Sequence, residues 1–197
     1  MPNQIKQSVT QTLHECLRES IAAKEAFLLS DTSGVCTLVE RMLQSFRAGG
    51  KVVLFGNGGS AADAQHVAGE LVGRFKKDRA ALAAIALTTD SSVITCIAND
   101  MSYDDVFARQ VEALAGKDDV IVGISTSGNS ANVLKAIAAA KARGAFTVAF
   151  TGRTGGKLKA AADLCLCVPC DNTARVQEVQ ITVWHAICQI IEQEMFG

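Results

Sequence analysis

Apolar residues recur every three or four positions through residues 3–47, which is the spacing of amphipathic helices. The first series comprises Ile5, Val9, Leu13, Leu17 and Ile21, and the second comprises Leu38, Val39, Met42, Leu43 and Phe46. A polar break at residues 30–34 separates the two series, and Gly49-Gly50 is a typical stop after the second. The pattern predicts an N-terminal pair of helices.

Beyond residue 50 the pattern changes to short apolar runs, each followed by a helical pattern. The predicted strands are Lys51–Phe55, Ala84–Leu87, Val120–Ile124, Thr147–Phe150 and Leu164–Val168. A last long helix is predicted from about Ala174 to Met195. Short apolar strands that alternate with helices indicate a parallel sheet with helices on both faces. We therefore predict an α/β fold with a parallel five-stranded sheet, in one domain over residues 1–197 with a helical extension at 1–50.

Composition and charge narrow the classes of function. The chain has 197 residues, 49% of them hydrophobic and 20% charged, as in ordinary globular domains. Its formal charge of −1 argues against broad nucleic-acid binding. No apolar run approaches the ~20 residues of a spanning helix, and the first residues carry no apolar signal segment. We expect a cytoplasmic protein that does not enter a membrane, with its seven cysteines as free thiols.

The first loop of chemical interest is Gly56-Asn57-Gly58-Gly59-Ser60-Ala61, between a predicted strand and helix. Its glycines let the backbone approach a ligand closely, and Ser60 with Asp63 can form a capping box. The loop also matches the G-x-G-x-x-A fingerprint of dinucleotide-binding proteins. A capped turn and an NAD(P)-dependent oxidoreductase both stay open on this loop alone.

The second loop, residues 125–130, also follows a predicted strand and precedes a helix. It carries the hydroxyls of Ser125, Thr126, Ser127 and Ser130. Hydroxyls, free backbone N–H groups and the positive end of a helix dipole together make a site for a phosphate dianion without a lysine. A dinucleotide enzyme has no use for this second loop. The alternative is an ordinary loop in which Ser130 only caps the helix.

Histidine and carboxylate side chains follow the first loop and recur in the last helix. His66 and Glu70 lie four residues apart and so share one helix face, while Gln177 precedes His185 in the last helix. An imidazole and a carboxylate beside a phosphate site suit proton transfer next to a sugar carbonyl, and the four side chains are also potential zinc ligands. By helical phase alone, Glu178 is as good a partner of His185, and purely structural histidines are the alternative.

Two further clusters are predicted to be structural. The charged run Lys76–Arg79 is interpreted as a solvated loop between a helix and a strand. Cys165 and Cys167 alternate onto one face of a strand, just before Cys170, and are interpreted as structural thiols.

Taken together, these motifs resemble the phosphoheptose isomerases of the sugar isomerase (SIS) fold. The matching segments are Gly56–Ser60, Asp63 with His66 and Glu70, Ala98–Asp100, Ser125–Ser130, Thr151-Gly152 and Arg175–Glu178. The resemblance implies an SIS-type three-layer sandwich and a homotetramer. It also implies conversion of sedoheptulose 7-phosphate to D-glycero-D-manno-heptose 7-phosphate through an enediol. This reaction is the first step of ADP-heptose biosynthesis, for lipopolysaccharide or related surface glycans.

The resemblance also implies a role for each matching residue. Glu70 would be the general base and His185 the general acid. The substrate would be bound by Asn57, Gly58, Gly59, Glu70, Asn99, Asp100, Ser125, Thr126, Ser127, Ser130 and Gln177. One zinc ion per subunit would be held by His66, Glu70, Gln177 and His185.

The alternative within this fold is a non-catalytic regulator that binds a replication-initiator protein. Such relatives lose the acid and the base, whereas Glu70 and His185 are both present here. The N-terminal helices and the last helix carry more apolar surface than one small sheet can cover, so we expect residues 1–50 to pack in an oligomer.

Overall fold

The computed structural model describes residues 2–197. Its helices are α1 (Pro2–Leu28), α2 (Ser33–Arg47), α3 (Gly59–Val72), α4 (Ser91–Asp100), α5 (Ala108–Leu114), α6 (Ala131–Ala142), α7 (Leu158–Ala161) and α8 (Thr173–Phe196). Its strands are β1 (Val52–Gly56), β2 (Ala84–Ala86), β3 (Val120–Ser125), β4 (Phe146–Gly152) and β5 (Leu164–Val168). The predicted helix pair and all five predicted strands are confirmed, with ends that agree to within a few residues.

The five strands form one parallel sheet in the order β2-β1-β3-β4-β5. From β1 the chain crosses to β2 on one side and then returns to β3 on the other. The strand order therefore reverses between β1 and β3, where Gly56 lies opposite Ile124. Open parallel sheets bind ligands beyond the carboxyl ends of their strands at such a reversal, so the loops after β1 and β3 share one crevice.

Both faces of the sheet are covered, which gives the predicted three-layer sandwich. On one face Val52 and Leu54 of β1 pack with α2, α3 and α8, where Trp184 is fully buried. On the other face Val53 and Phe55 pack with α5 and α6. Every residue of β1 and β3 is buried, which explains why these strands are apolar throughout rather than alternating.

The apolar series of α1 does not reach this core. Ile5, Val9, Leu13, Leu17 and Ile21 are each 53% to 65% exposed. The helix is held to the rest of the chain further along, where Arg175 of α8 donates a 2.7 Å hydrogen bond to the carbonyl of Cys16. Within residues 2–197, no helix combines the length and the apolar character needed to cross a membrane.

The charged run at residues 76–79 is not a simple solvated loop, so that interpretation is wrong. The side chain of Arg79 is 1% exposed and lies 3.0 Å from the buried carboxylate of Glu192 in α8. The same carboxylate accepts hydrogen bonds of 2.9 to 3.0 Å from the backbone N–H groups of Phe75, Lys76 and Lys77. The run is therefore clamped to the last helix by one acid.

Candidate active site

The loops after β1 and β3 are joined by a pair of amide side chains. Asn57 donates to Asn132 Oδ1 and Asn132 donates back to Asn57 Oδ1, both at 2.9 Å. The hydroxyl of Tyr103 donates to Asn57 Oδ1 at 3.1 Å. Sequence reasoning missed Asn132 and Tyr103. The signal available in the sequence was a polar residue, Asn132, in the first turn of the helix just after the hydroxyl loop. In the structure Asn132 is only 3% exposed.

Helix α3 starts without the predicted capping box. Its N-cap is Gly58 at φ 56°, a left-handed conformation that favours glycine, and the cap makes no side-chain hydrogen bond. Ser60 lies buried inside the first turn, and burial raises the pKa of Asp63. The capping-box prediction is wrong. The helix instead begins with small residues, which let a ligand approach the backbone closely.

The hydroxyls of the β3 loop gather at the N-terminus of α6. Ser125 Oγ lies 2.9 Å from Ser130 Oγ and 3.4 Å from Ser127 Oγ. Ser130 occupies the N-cap position of α6, yet its side chain makes no capping hydrogen bond. The ordinary-cap alternative therefore does not describe Ser130, whose hydroxyl joins the cluster instead. Thr126 and Ser127 also line an adjoining cavity of about 390 Å³. Hydroxyl groups at a helix N-terminus are suited to a phosphate dianion.

His66, Glu70 and His185 converge where α3 packs against α8. The two imidazole Nε2 atoms lie 2.9 Å apart, and His66 Nε2 lies 3.1 Å from Glu70 Oε1. Phe75 stacks on the His185 ring with centroids 5.4 Å apart. One ligand atom from each of the three polar residues lies within 4.8 Å of the others. Two imidazoles and a carboxylate are a donor set that zinc takes in catalytic sites, so these residues fit a zinc ion.

Three expected site residues lie outside this convergence. The Gln177 amide lies against Gly59. The contact is so close that a Cβ atom on residue 59 would stand 2.5 Å from Gln177 Nε2. Gln177 precedes His185 by eight residues, about 12 Å along α8, so it lies at the loop end of the crevice. Asn99 and Asp100 lie exposed at the end of α4, where the Asn99 amide donates to Asp100 at 2.8 Å.

Glu192 is a supporting residue that sequence reasoning did not single out. Burial disfavours its charge, but the three loop N–H groups and Arg79 lower its pKa to about 2. The carboxylate thereby fixes the segment that carries Phe75 onto the His185 ring. No local pattern could have found this contact, because more than one hundred residues separate Glu192 from its partners in the chain.

Known proteins with similar sequences and folds include phosphoheptose isomerases. The family described as SIS domain matches residues 16–152. The phosphoheptose isomerase of Roseiflexus sp. is 50% identical over 194 residues, 98% of each chain. The structure of phosphoheptose isomerase GmhA from Neisseria gonorrhoeae matches 94% of this chain and 99% of its own, with a TM-score of 0.89 and 45% identity. That of a phosphoheptose isomerase from Francisella tularensis matches 94% and 98%, with a TM-score of 0.90 and 35% identity. The chain belongs to the phosphoheptose isomerase family of SIS-domain proteins.

Proposed function

We propose that the protein is an aldose–ketose isomerase that converts sedoheptulose 7-phosphate to D-glycero-D-manno-heptose 7-phosphate through an enediol. The observations that carry the proposal are the convergence of Glu70 and His185 where α3 packs on α8 and the hydroxyl cluster at the N-terminus of α6. Family membership supports the same reaction. The reaction class needs one group for the carbon-bound proton and one for the oxygen-bound proton, and this pair supplies both.

The phosphate group is bound by the β3 loop. The hydroxyls of Ser125, Ser127 and Ser130, with Thr126 next to them, donate to the phosphate oxygens, and the N-terminal end of α6 favours their charge. These are neutral donors, which is consistent with a chain of formal charge −1.

The sugar lies across the β1 loop and the start of α3. Asn57, Gly58 and Gly59 contact it there, with Gln177 at the same helix end. Asn99 and Asp100 are further sugar contacts in this proposal. The amide pair of Asn57 and Asn132 holds the loop in place, which leaves little reorganisation to the moment of binding.

The reaction moves two protons. Glu70 takes a proton from C1 of the ketose while protonated His185 gives one to the C2 carbonyl oxygen, which yields the enediol. Glu70 then returns its proton to C2, and neutral His185 takes the proton from O1, which yields the aldose. Each group is restored at the end, and the stacked Phe75 keeps the His185 ring in position.

We also assign a zinc ion to this site. His66, Glu70 and His185 would each hold it through one ligand atom, which would leave the second carboxylate oxygen of Glu70 and the other ring nitrogen of His185 for proton transfer. The family pattern adds Gln177, whose amide lies against Gly59 in this structure. Bound zinc would polarise a substrate carbonyl or order the ligand side chains.

The exposed apolar series on α1 supports a homotetramer in which the N-terminal helices pack against neighbouring subunits. We place the enzyme in the cytoplasm, at the first step towards ADP-heptose for lipopolysaccharide or related surface glycans.

Turnover in deuterated water tests the reaction. Purified protein supplied with sedoheptulose 7-phosphate should form the aldoheptose phosphate. Proton NMR should show a loss of the C2 proton signal of the product, because Glu70 exchanges its proton with deuterated water before it returns one to C2. Absence of turnover under these conditions would overturn the proposal and favour a non-catalytic SIS-domain regulator.

A further inference from the structure

Strand β5 carries two cysteines whose sulfur atoms face each other. Cys165 Sγ and Cys167 Sγ lie 3.6 Å apart on the same face of the strand, and both residues are partly exposed. The hydroxyl of Thr151 on β4 lies 3.5 Å from the first sulfur and 3.3 Å from the second. This arrangement is a dithiol and plays no part in the reaction proposed above.

The distance between the two sulfurs determines which kind of sulfur-binding atom can bond to both of them. With bonds of about 2.3 Å to each sulfur, a spacing of 3.6 Å corresponds to an angle of about 100° at the bound atom. A linear two-coordinate ion would need sulfurs about 4.6 Å apart. The pair therefore suits a centre with bent coordination.

The described part of the chain brings no third His, Cys, Asp or Glu side chain to this position. Among residues 2–197, the only group of three or more His, Cys, Asp or Glu side chains close enough to share an ion is His66, Glu70 and His185. A tetrahedral zinc ion would thus find only two of its four ligands at the dithiol. A ligand that suits this pair is therefore one whose central atom already carries its remaining substituent.

We propose that Cys165 and Cys167 form a binding site for trivalent organoarsenic compounds. In the reaction with an arsenoxide, two As–S bonds form, the arsenic–oxygen bond breaks, and the two thiol protons leave with the oxygen as one water molecule. Arsenic stays trivalent, so no oxidant is required. The hydrogen bond from Cys165 lowers the pKa of Cys167 to about 6, which provides a thiolate for the first bond.

The site lies under a loop that contacts the phosphate loop. A Cβ atom at Gly155 would stand 3.0 Å from Cys167 Sγ and 3.2 Å from Cys165 Sγ, so an arsenic atom there displaces the loop at residues 153–157. That loop and the helix after it are bonded to the phosphate loop: Leu158 N–H donates to the Gly128 carbonyl at 3.0 Å, and Lys157 N–H donates to Asn129 Oδ1 at 3.1 Å. Occupancy should therefore weaken phosphate binding.

Intact-mass spectrometry with phenylarsine oxide tests the site. The folded wild-type protein should keep one adduct per chain in excess 2-mercaptoethanol and lose it to 2,3-dimercaptopropanol, since only a dithiol competes with a chelate. Cys165→Ser and Cys167→Ser should each lose the resistant adduct, and Cys170→Ser, in the same segment, should keep it. No resistant adduct on the wild type, or one that persists in both dithiol variants, would overturn the proposal.

A second arm tests the link to the phosphate loop and rests on the proposed isomerase function. The adduct should raise KM for sedoheptulose 7-phosphate in the wild type. The same reagent should leave the KM of Cys167→Ser unchanged, because that variant cannot form the chelate. An unchanged KM with a full adduct would refute the link but not the site. If the untreated protein shows no turnover, the proposed function fails, while the mass measurement still decides the dithiol.

Discussion

The Nε2 atoms of His66 and His185 lie 2.9 Å apart, although 119 residues separate them in the chain. The contact follows from the way α3 and α8 pack. Gly59 at the start of α3 meets Gln177 near the start of α8, and His66 meets His185 two turns further along both. The two helices therefore run in the same direction, and these four residues lie where one helix packs against the other.

The first prediction concerns the two proton-transfer groups. Glu70→Gln and His185→Gln should each lower kcat by a factor of about 10² or more, because each removes a group that moves a proton in the transition state. His14→Gln is the matched control, since His14 is exposed on α1 away from the crevice and should keep wild-type activity. Steady-state kinetics on the three variants decides the matter, and full activity in both site variants would contradict the assigned roles.

The second prediction concerns the metal. Purified protein should contain about one zinc per subunit by elemental analysis, and His66→Ala should lose most of it, because the ion would then lose one of its imidazole ligands. His14→Gln should retain the metal. Equal zinc content in His66→Ala and the control would show that the ion binds elsewhere.

Much of the fold could be predicted because local patterns determine it. Apolar runs located all five strands, and β5 (Leu164–Val168) has the predicted ends. The hydroxyl loop was recognisable because Ser125 and Ser130 lie close in the sequence. Parallel strands bring their carboxyl ends to one edge of the sheet, which places this loop beside the glycine loop.

The features that were missed depend on distant contacts or on backbone conformation. Glu192 looks like one more polar residue near the end of a helix, and only the packing of α8 on the segment after α3 brings it to Arg79. The capping box failed because Gly58 adopts a left-handed conformation, so the helix starts before Ser60. The positions of Gln177 and His185 depend on which helix lies alongside α8, and this information is absent from local spacing.

The third prediction concerns the clamp made by Glu192. Glu192→Gln should lower the free energy of unfolding at pH 7 by about 3–5 kcal/mol, because Arg79 is left buried without a full partner. It should also lower kcat, since Phe75 loses its support against His185. Glu194→Gln, at an exposed position two residues further on, is the control for both measurements.

The same clamp predicts a pH dependence of stability. The hydrogen bonds lower the pKa of Glu192 to about 2 in the folded protein, against 4.5 as its ordinary value. Its stabilising effect is therefore complete above the ordinary value and is lost as the pH falls from about 5 towards 2. Thermal unfolding should show the difference in Tm between wild type and Glu192→Gln narrowing over that range. A difference that stays constant down to pH 2 would contradict the role of the ionised carboxylate.

The fourth prediction concerns the exposed apolar series of α1. Leu13 and Leu17 are each more than half exposed, and packing against neighbouring subunits would remove that surface from water. Light scattering should give four times the chain mass for the wild type and a smaller particle for the double variant Leu13→Glu, Leu17→Glu, whose carboxylates cannot be buried unpaired. Ala22→Glu, at an exposed position on the opposite side of the helix by phase, should remain tetrameric. A monomeric wild type would leave α1 without a packing partner and would rule out the proposed tetramer.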